Sequence, residues 1–306
     1  FMSLMPVIRE SKVKLMHPEF KLLLYTPIDS NPDPSWFKHA KDFDQIITYT
    51  KYGFDEIQKI KRLKNLEVIP HGFDTKNFFE QSGQKEECRK RVGIPQGKFV
   101  IGTVNKNQPR KDMANALIAF AEFKDTLPKG HNVCLYLHTY YDDPTGVNLR
   151  TVGDKLGLVW EKDYTMPMHK KYTDGAYTLS DMNDVYNSFD VFLTTSTAEG
   201  WGLTLTEAIC CKLPIIFGYH TSQKEIAAPL KSGKCIELTK SVQIHDGNAI
   251  RYKLNPTEIA KWMNLFYKQY QAGEKENFDK YDEVIKKYNW DSIAIEWSVI
   301  IAKLLK

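Results

Sequence analysis

Two carboxylates and a small set of cations are the residues of this chain best placed to do chemistry. Glu199 and Glu207 are separated by seven residues in Thr197-Ala198-Glu199-Gly200-Trp201-Gly202-Leu203-Thr204-Leu205-Thr206-Glu207-Ala208. The apolar run Val191-Phe192-Leu193-Thr194-Thr195 leads into this stretch, and Leu203 to Cys211 follows with helical spacing, so the motif reads as strand, tight turn, helix. A glycine turn that feeds a helix leaves the N–H groups near Gly202, Leu203 and Thr204 unpaired, and the helix dipole adds partial positive charge there. Such a turn binds anions. Ionised glutamates only accept hydrogen bonds, which suits the hydroxyls of a sugar. A helix rises ~1.5 Å per residue, which sets Glu207 roughly 6 Å along the axis from Leu203. The two carboxylates therefore grip different parts of an extended ligand rather than one metal ion. Lys106 and Lys111, with Arg110 beside them, follow an earlier strand and supply charge for a diphosphate.

These residues need strands that end at one place. Phe99–Val104, Val133–Leu137, Tyr164–Met168, Val191–Thr195 and Ile215–Phe217 are short apolar runs without a polar face. Helical segments over Met113–Phe123, Leu149–Leu156, Asp181–Phe189 and Leu203–Cys211 alternate with them. This pattern predicts a doubly wound parallel α/β sheet covered by helices on both sides, with ligands at the carboxyl ends of the strands. The loops after Val104 and Thr195 both lie there. Ahead of it, Lys21–Thr26, Gln45–Tyr49 and Leu66–Pro70 with a helix near Phe54–Arg62 form part of a second α/β unit, and the polar stretch Thr75–Gly97 reads as a connection. Asn255-Pro256-Thr257-Glu258 starts a helix with an asparagine cap and proline in the first turn. Two more helices follow, near Asn277–Lys287 and Trp290–Leu305. The division expected is 1–97 for the partial unit with its linker, 98–288 for the main unit and 289–306 for a terminal helix that packs back.

Composition removes other classes. With 42 Lys and Arg against 38 Asp and Glu in 306 residues, the net charge is only +4 and the basic residues form no stripe, which argues against general nucleic-acid binding. No apolar run is long enough to span a membrane. Cys88, Cys134, Cys210, Cys211 and Cys235 have no zinc-like spacing and suit a reducing compartment. The loop Gly102-Thr103-Val104-Asn105-Lys106-Asn107 lacks the glycine pattern of dinucleotide sites, and Gly93-Ile94-Pro95-Gln96-Gly97-Lys98-Phe99 is one residue short of a phosphate loop. Neither an H-E-x-x-H nor a G-x-S-x-G motif is present.

Taken together, Glu199-x7-Glu207, Lys106-x4-Lys111, Ile69-Pro70-His71-Gly72-Phe73-Asp74 and Tyr288-Asn289-Trp290-Asp291 resemble retaining, nucleotide-sugar-dependent glycosyltransferases of the GT-B fold, specifically family 4. In that family arginine is usual where Lys106 stands. The resemblance implies a Rossmann-like donor domain and an acceptor domain of which only the last strands are present here. It implies that Glu199 contacts hexose hydroxyls and Glu207 the ribose. Lys106, Arg110, Lys111 and the amides of Gly200, Trp201, Gly202, Leu203 and Thr204 would hold the diphosphate, and Met166 to His169 would lie against the base. Glu199 and Lys111 are the expected catalytic residues. No metal or other cofactor is implied, because lysines and amides stabilise the departing phosphate. The acceptor would be a saccharide, lipid or protein, and the location cytoplasmic or peripheral to a membrane. A nucleotide-sugar-binding module without catalysis, or a sugar-phosphate epimerase, would share these features.

Overall fold

The computed structural model describes residues 17–167, 172, 174–175, 177–230, 232–243, 249–274 and 277–306. Its centre is a six-stranded parallel sheet of β4 (Phe99–Val104), β5 (Val133–His138), β6 (Tyr164–Thr165), β7 (Val191–Leu193), β8 (Ile215–Gly218) and β9 (Gly233–Cys235), in the order β6-β5-β4-β7-β8-β9. β4 and β5 are buried along their whole length because helices cover both faces, which is why they carry no polar alternation. The order reverses between β4 and β7, where Ile101 pairs with Val191 and Gly102 with Phe192. Gly102 has to be glycine: a β-carbon there would enter the ring of Phe189. The crevice outside that switch point is where doubly wound sheets bind ligands.

The preceding unit is a three-stranded parallel sheet, β1 (Leu23–Thr26), β2 (Gln45–Thr48) and β3 (Leu66–Val68), with α1 (Lys51–Ile60) against it. The architecture is thus two α/β units with one clearly larger. One core cluster runs through both, joining Ile47, Ile69 and Phe73 to Trp201, Leu205 and Tyr288. The last two helices, α9 (Asp279–Tyr288) and α10 (Trp290–Leu304), return the chain to the small sheet. Phe73 bridges to Asn289, the Trp297 ring meets Tyr25 edge-on at 4.9 Å, and Lys303 pairs with Glu67 at 2.9 Å. Gly72 lies so close to Trp290 that a β-carbon would enter the indole.

Two expectations need correction, and one segment holds elements not anticipated. Residues 75–97 are not merely a connection: they contain α2 (Lys85–Val92), packed on α5 (Leu179–Asn187) of the large unit. The segment after β8 holds α7 (Thr221–Ala227) and an antiparallel hairpin of β10 (Leu238–Gln243) and β11 (Ala249–Leu254), neither of which periodicity revealed. β6 closes at Thr165, short of Met168, and Met168 lies outside the described residues. The helix α8 (Pro256–Ala272) begins as expected, with the Asn255 side chain accepting from the Thr257 N–H at 2.9 Å.

Candidate active site

The loop after β4 ends in a short 3-10 turn, Pro109–Lys111, before α3 (Met113–Asp125) starts. This loop is tied to the one after β7, since the Thr197 N–H donates to the Arg110 carbonyl at 2.8 Å and the Thr195 hydroxyl to the Lys111 carbonyl at 2.9 Å. The two loops therefore carry their charged side chains to one point. Glu199, only 6% exposed, is held by the Lys111 ammonium, by Arg110 Nη1 at 2.9 Å and by the Ser196 hydroxyl at 2.6 Å. Arg110 Nη1 also donates to the Ala198 carbonyl at 2.8 Å. Burial alone would push the Glu199 carboxyl up, but Lys111 and Arg110 outweigh it and hold the group below its ordinary value. Burial pulls the Lys111 ammonium down, while the charge of Glu199 opposes that fall.

The turn itself is fixed from three sides. Gly202 sits at φ 93°, the left-handed conformation that starts α6 (Leu203–Cys210) without a side-chain cap. The Glu199 N–H donates to the Thr221 hydroxyl at 3.2 Å, and the Ser222 hydroxyl donates to the Trp201 carbonyl at 2.9 Å. Thr221 itself has φ 44°, a strained conformation for a β-branched residue, as found where a site over-determines its backbone. His220 stacks on Tyr252 at 5.4 Å, and burial pushes its imidazole down to about 4, so it is neutral beside Glu199. None of the N–H groups of Gly200, Trp201, Gly202, Leu203 and Thr204 has a partner among the described residues, and Leu203 is 52% exposed at the helix start. The turn thus presents unpaired donors beside Lys111, which is the chemistry of an anion site.

The remaining expected residues are placed unevenly. Glu207 is half-buried and accepts a hydrogen bond from the Tyr186 hydroxyl. Burial pushes its carboxyl up to about 7, with Asp74 adding to the rise. Its folded form therefore keeps a proton that the unfolded chain gives up near the ordinary 4.5, so the native state binds more protons between these values. Stability should fall as pH rises through that window and level off above it. Glu207→Gln is expected to flatten this part of the profile, read as melting temperature against pH. An unchanged slope would mean that another group carries it.

Lys106 is not brought to Glu199; it is largely exposed and faces Asp143 at 3.7 Å. The Trp201 indole turns away from the crevice into a cluster with Phe73 and Tyr288, so only its main chain can serve a ligand there. Met166 is a core residue, 8% exposed, whose edge borders a cleft of about 690 Å³ lined by Tyr136, Tyr140, Tyr141, Trp160 and Tyr177. His169 lies outside the described residues. His71 is a packing residue, its Nδ1 2.9 Å from the Gly72 carbonyl oxygen and its ring against Trp290 at 4.9 Å.

Two charged residues at the crevice were not anticipated. Asp29, in the loop after β1, faces Arg110 Nε at 3.7 Å and Arg251 Nη1 at 3.1 Å. Asp29 reads locally as part of a proline-rich loop, and Arg251 lies on the unforeseen β11. No signal in the sequence links the two. Among the described residues, no group of three or more His, Cys, Asp or Glu side chains is placed to hold a metal ion.

A family model described as "Glycosyl transferases group 1" matches residues 173–256, which contain the turn, Glu199 and Glu207. The α-monoglucosyldiacylglycerol synthase of Acholeplasma laidlawii is 28% identical over 185 residues, 60% of this chain and 43% of that protein. A probable sucrose-phosphate synthase of Thermosipho melanesiensis is 22% identical over 240 residues, 77% of this chain and 47% of that one. The chain spans about half the length of the curated relatives it matches. The crystal structure of Anabaena HepE in complex with UDP and glucose superimposes with a TM-score of 0.68 at 15% identity, covering 92% of this chain and 72% of that one. The fold is GT-B. The six-stranded unit is the larger half, and the three-stranded unit is the smaller half that meets it at Asp29. No helix among the described residues is long and apolar enough to cross a membrane.

Proposed function

We propose that this chain transfers a sugar from a nucleotide diphosphate sugar to an acceptor, with retention of configuration, as a family 4 enzyme of the GT-B fold. The observation that carries the reading is the convergence of Lys111 and Arg110 on Glu199 beside the unpaired amides of the Gly200–Thr204 turn, at the switch point of the sheet. In this reading the amides and Lys111 hold the diphosphate. The bond from the anomeric carbon to the phosphate oxygen breaks, its electron pair goes to the phosphate, and the acceptor hydroxyl forms the new bond on the same face. The acceptor proton passes to the departing phosphate. Buried cations and fixed amides stabilise that charge without reorganising.

Glu199 would exchange part of its contact with Arg110 for a hexose hydroxyl, and Glu207 would accept from the ribose. Met166 and His169 remain candidates for the base side, and Lys106 for an outer phosphate contact. Uridine is the base to test first, because HepE is described in complex with UDP. The relatives are named for different products, a monoglucosyldiacylglycerol in one case and sucrose phosphate in the other, so a saccharide, lipid or protein acceptor all remain in the test. The protein would act in the cytoplasm, at a membrane surface where the acceptor is a lipid.

The test is incubation of the chain with radiolabelled UDP-sugars and with diacylglycerol, saccharide and peptide acceptors. Label transferred to one acceptor class supports the enzyme. Donor binding without transfer or hydrolysis supports a binding module, and interconversion of free nucleotide sugars supports an epimerase.

A further inference from the structure

Four contacts hold the loop after β1 against the turn, the loop after β4 and the hairpin of the large unit. A β-carbon on Gly200 would lie 2.5 Å from Pro27 Cβ, so the absent side chain is what lets the two backbones meet. The Asn31 side chain accepts from the Ile250 N–H of β11 at 2.9 Å. Arg251 Nη1 lies 3.1 Å from the Asp29 carboxylate and 3.5 Å from the Asp29 carbonyl oxygen. Asp29 in turn faces Arg110 at 3.7 Å. Arg251 is 2% exposed and comes from the hairpin, so Asp29 is fixed from the large unit although it belongs to the small one.

We infer that Asp29 is an affinity-setting residue of the donor site, whose carboxylate stands beside Arg110 where an anionic phosphate group would otherwise draw the guanidinium. The inference rests on the donor-site reading above. Its electrostatics follow from charge alone. Among these five groups, three cations (Arg110, Lys111, Arg251) face two carboxylates (Glu199, Asp29). A diphosphate that approaches the turn meets the field of Arg110 and Lys111 reduced by Asp29, which reaches Arg110 from the small unit while Glu199 reaches it from the large one. Withdrawal of Asp29, by substitution or by separation of the two units, raises the positive potential at the turn. Asp29 therefore makes diphosphate binding looser in the state where the loop is docked, which favours release of a nucleotide product after transfer.

The experiment is calorimetric titration of the full chain with UDP, ADP, GDP and inorganic pyrophosphate. Asp29→Asn is expected to tighten both the nucleotide that binds and pyrophosphate by roughly threefold to tenfold, because the effect acts on phosphate charge and not on the base. Asp29→Glu should keep the wild-type Kd, and Arg110→Gln in the Asp29→Asn background should remove the gain, because it takes away the positive charge that Asp29 opposes. If Asp29→Asn does not fold, Asp29→Ser removes the same charge while its hydroxyl can still accept from Arg251, and it should show the same gain. An unchanged or weaker Kd in folded Asp29→Asn or Asp29→Ser overturns the inference while the donor site stands. Failure of the wild type to bind any of the four probes removes both the donor-site reading and the inference built on it.

Discussion

Glu199→Gln is expected to lower sugar transfer by roughly 10²–10³-fold, the scale seen when one preorganised group at a developing charge is lost. The carboxylate is the shared partner of Lys111, Arg110 and Ser196. A glutamine can accept on one oxygen only and turns two donor hydrogens toward cations. Lys111 and Arg110 then lose their fixed positions beside the turn. The loss should fall on the rate of transfer more than on nucleotide affinity, because the amides from Gly200 to Thr204 remain in place. Steady-state kinetics with a labelled donor separates the two. A loss confined to KM would mean that Glu199 binds the ground state and transition state alike. Circular dichroism should show the same secondary structure, since Gly202, Thr221 and Ser222 still hold the turn.

Arg89→Ala is expected to cost about 3–5 kcal/mol of stability, the usual cost of removing one partner of a buried ion pair. Arg89 is 1% exposed, and its Nη2 meets Asp190 at 2.7 Å while its Nε donates to the Ser188 carbonyl at 2.8 Å. Asp190 also accepts from the Val100 N–H at 2.7 Å, at the foot of β4. Without Arg89, a buried carboxylate under the central strand keeps Lys85 as its one cation among the described residues. Arg89→Lys should recover part of the loss, because one ammonium cannot reproduce the guanidinium's geometry toward Asp190, Glu86 and Ser188. Denaturant melts of the three proteins decide this. Equal midpoints for wild type and Arg89→Ala would show that α2 is not a structural part of the large unit.

That helix marks the boundary of what the amino-acid order makes legible. β4, β5, β7 and β8 are readable because strands buried on both faces must be continuously apolar, and the start of α8 is readable because its cap is local. α2 reads Lys85-Glu86-Glu87-Cys88-Arg89-Lys90-Arg91-Val92, and its buried side chains are only Cys88, Arg89 and Val92. A helix that buries an arginine has no apolar stripe to find. The hairpin hid for a related reason, since Val242 is exposed and β11 buries Arg251. Within the candidate site, the Glu199–Glu207 turn and Lys111 were legible because glycines, carboxylates and strand ends lie close in sequence. Asp29 and Arg251 are 222 residues apart, and their ion pair follows from packing of the two units alone. Trp201 was legible as part of the turn but not as a packing residue, because its neighbours Phe73 and Tyr288 come from distant segments.

The measurement that tests the central claim most directly is a crystal structure of the chain soaked with UDP. The expected result is a diphosphate within hydrogen-bond distance of the amides between Gly200 and Thr204 and of Lys111 Nζ. A nucleotide whose phosphates lie away from this turn, for example wholly within the tyrosine-lined cleft beside Met166, would contradict it.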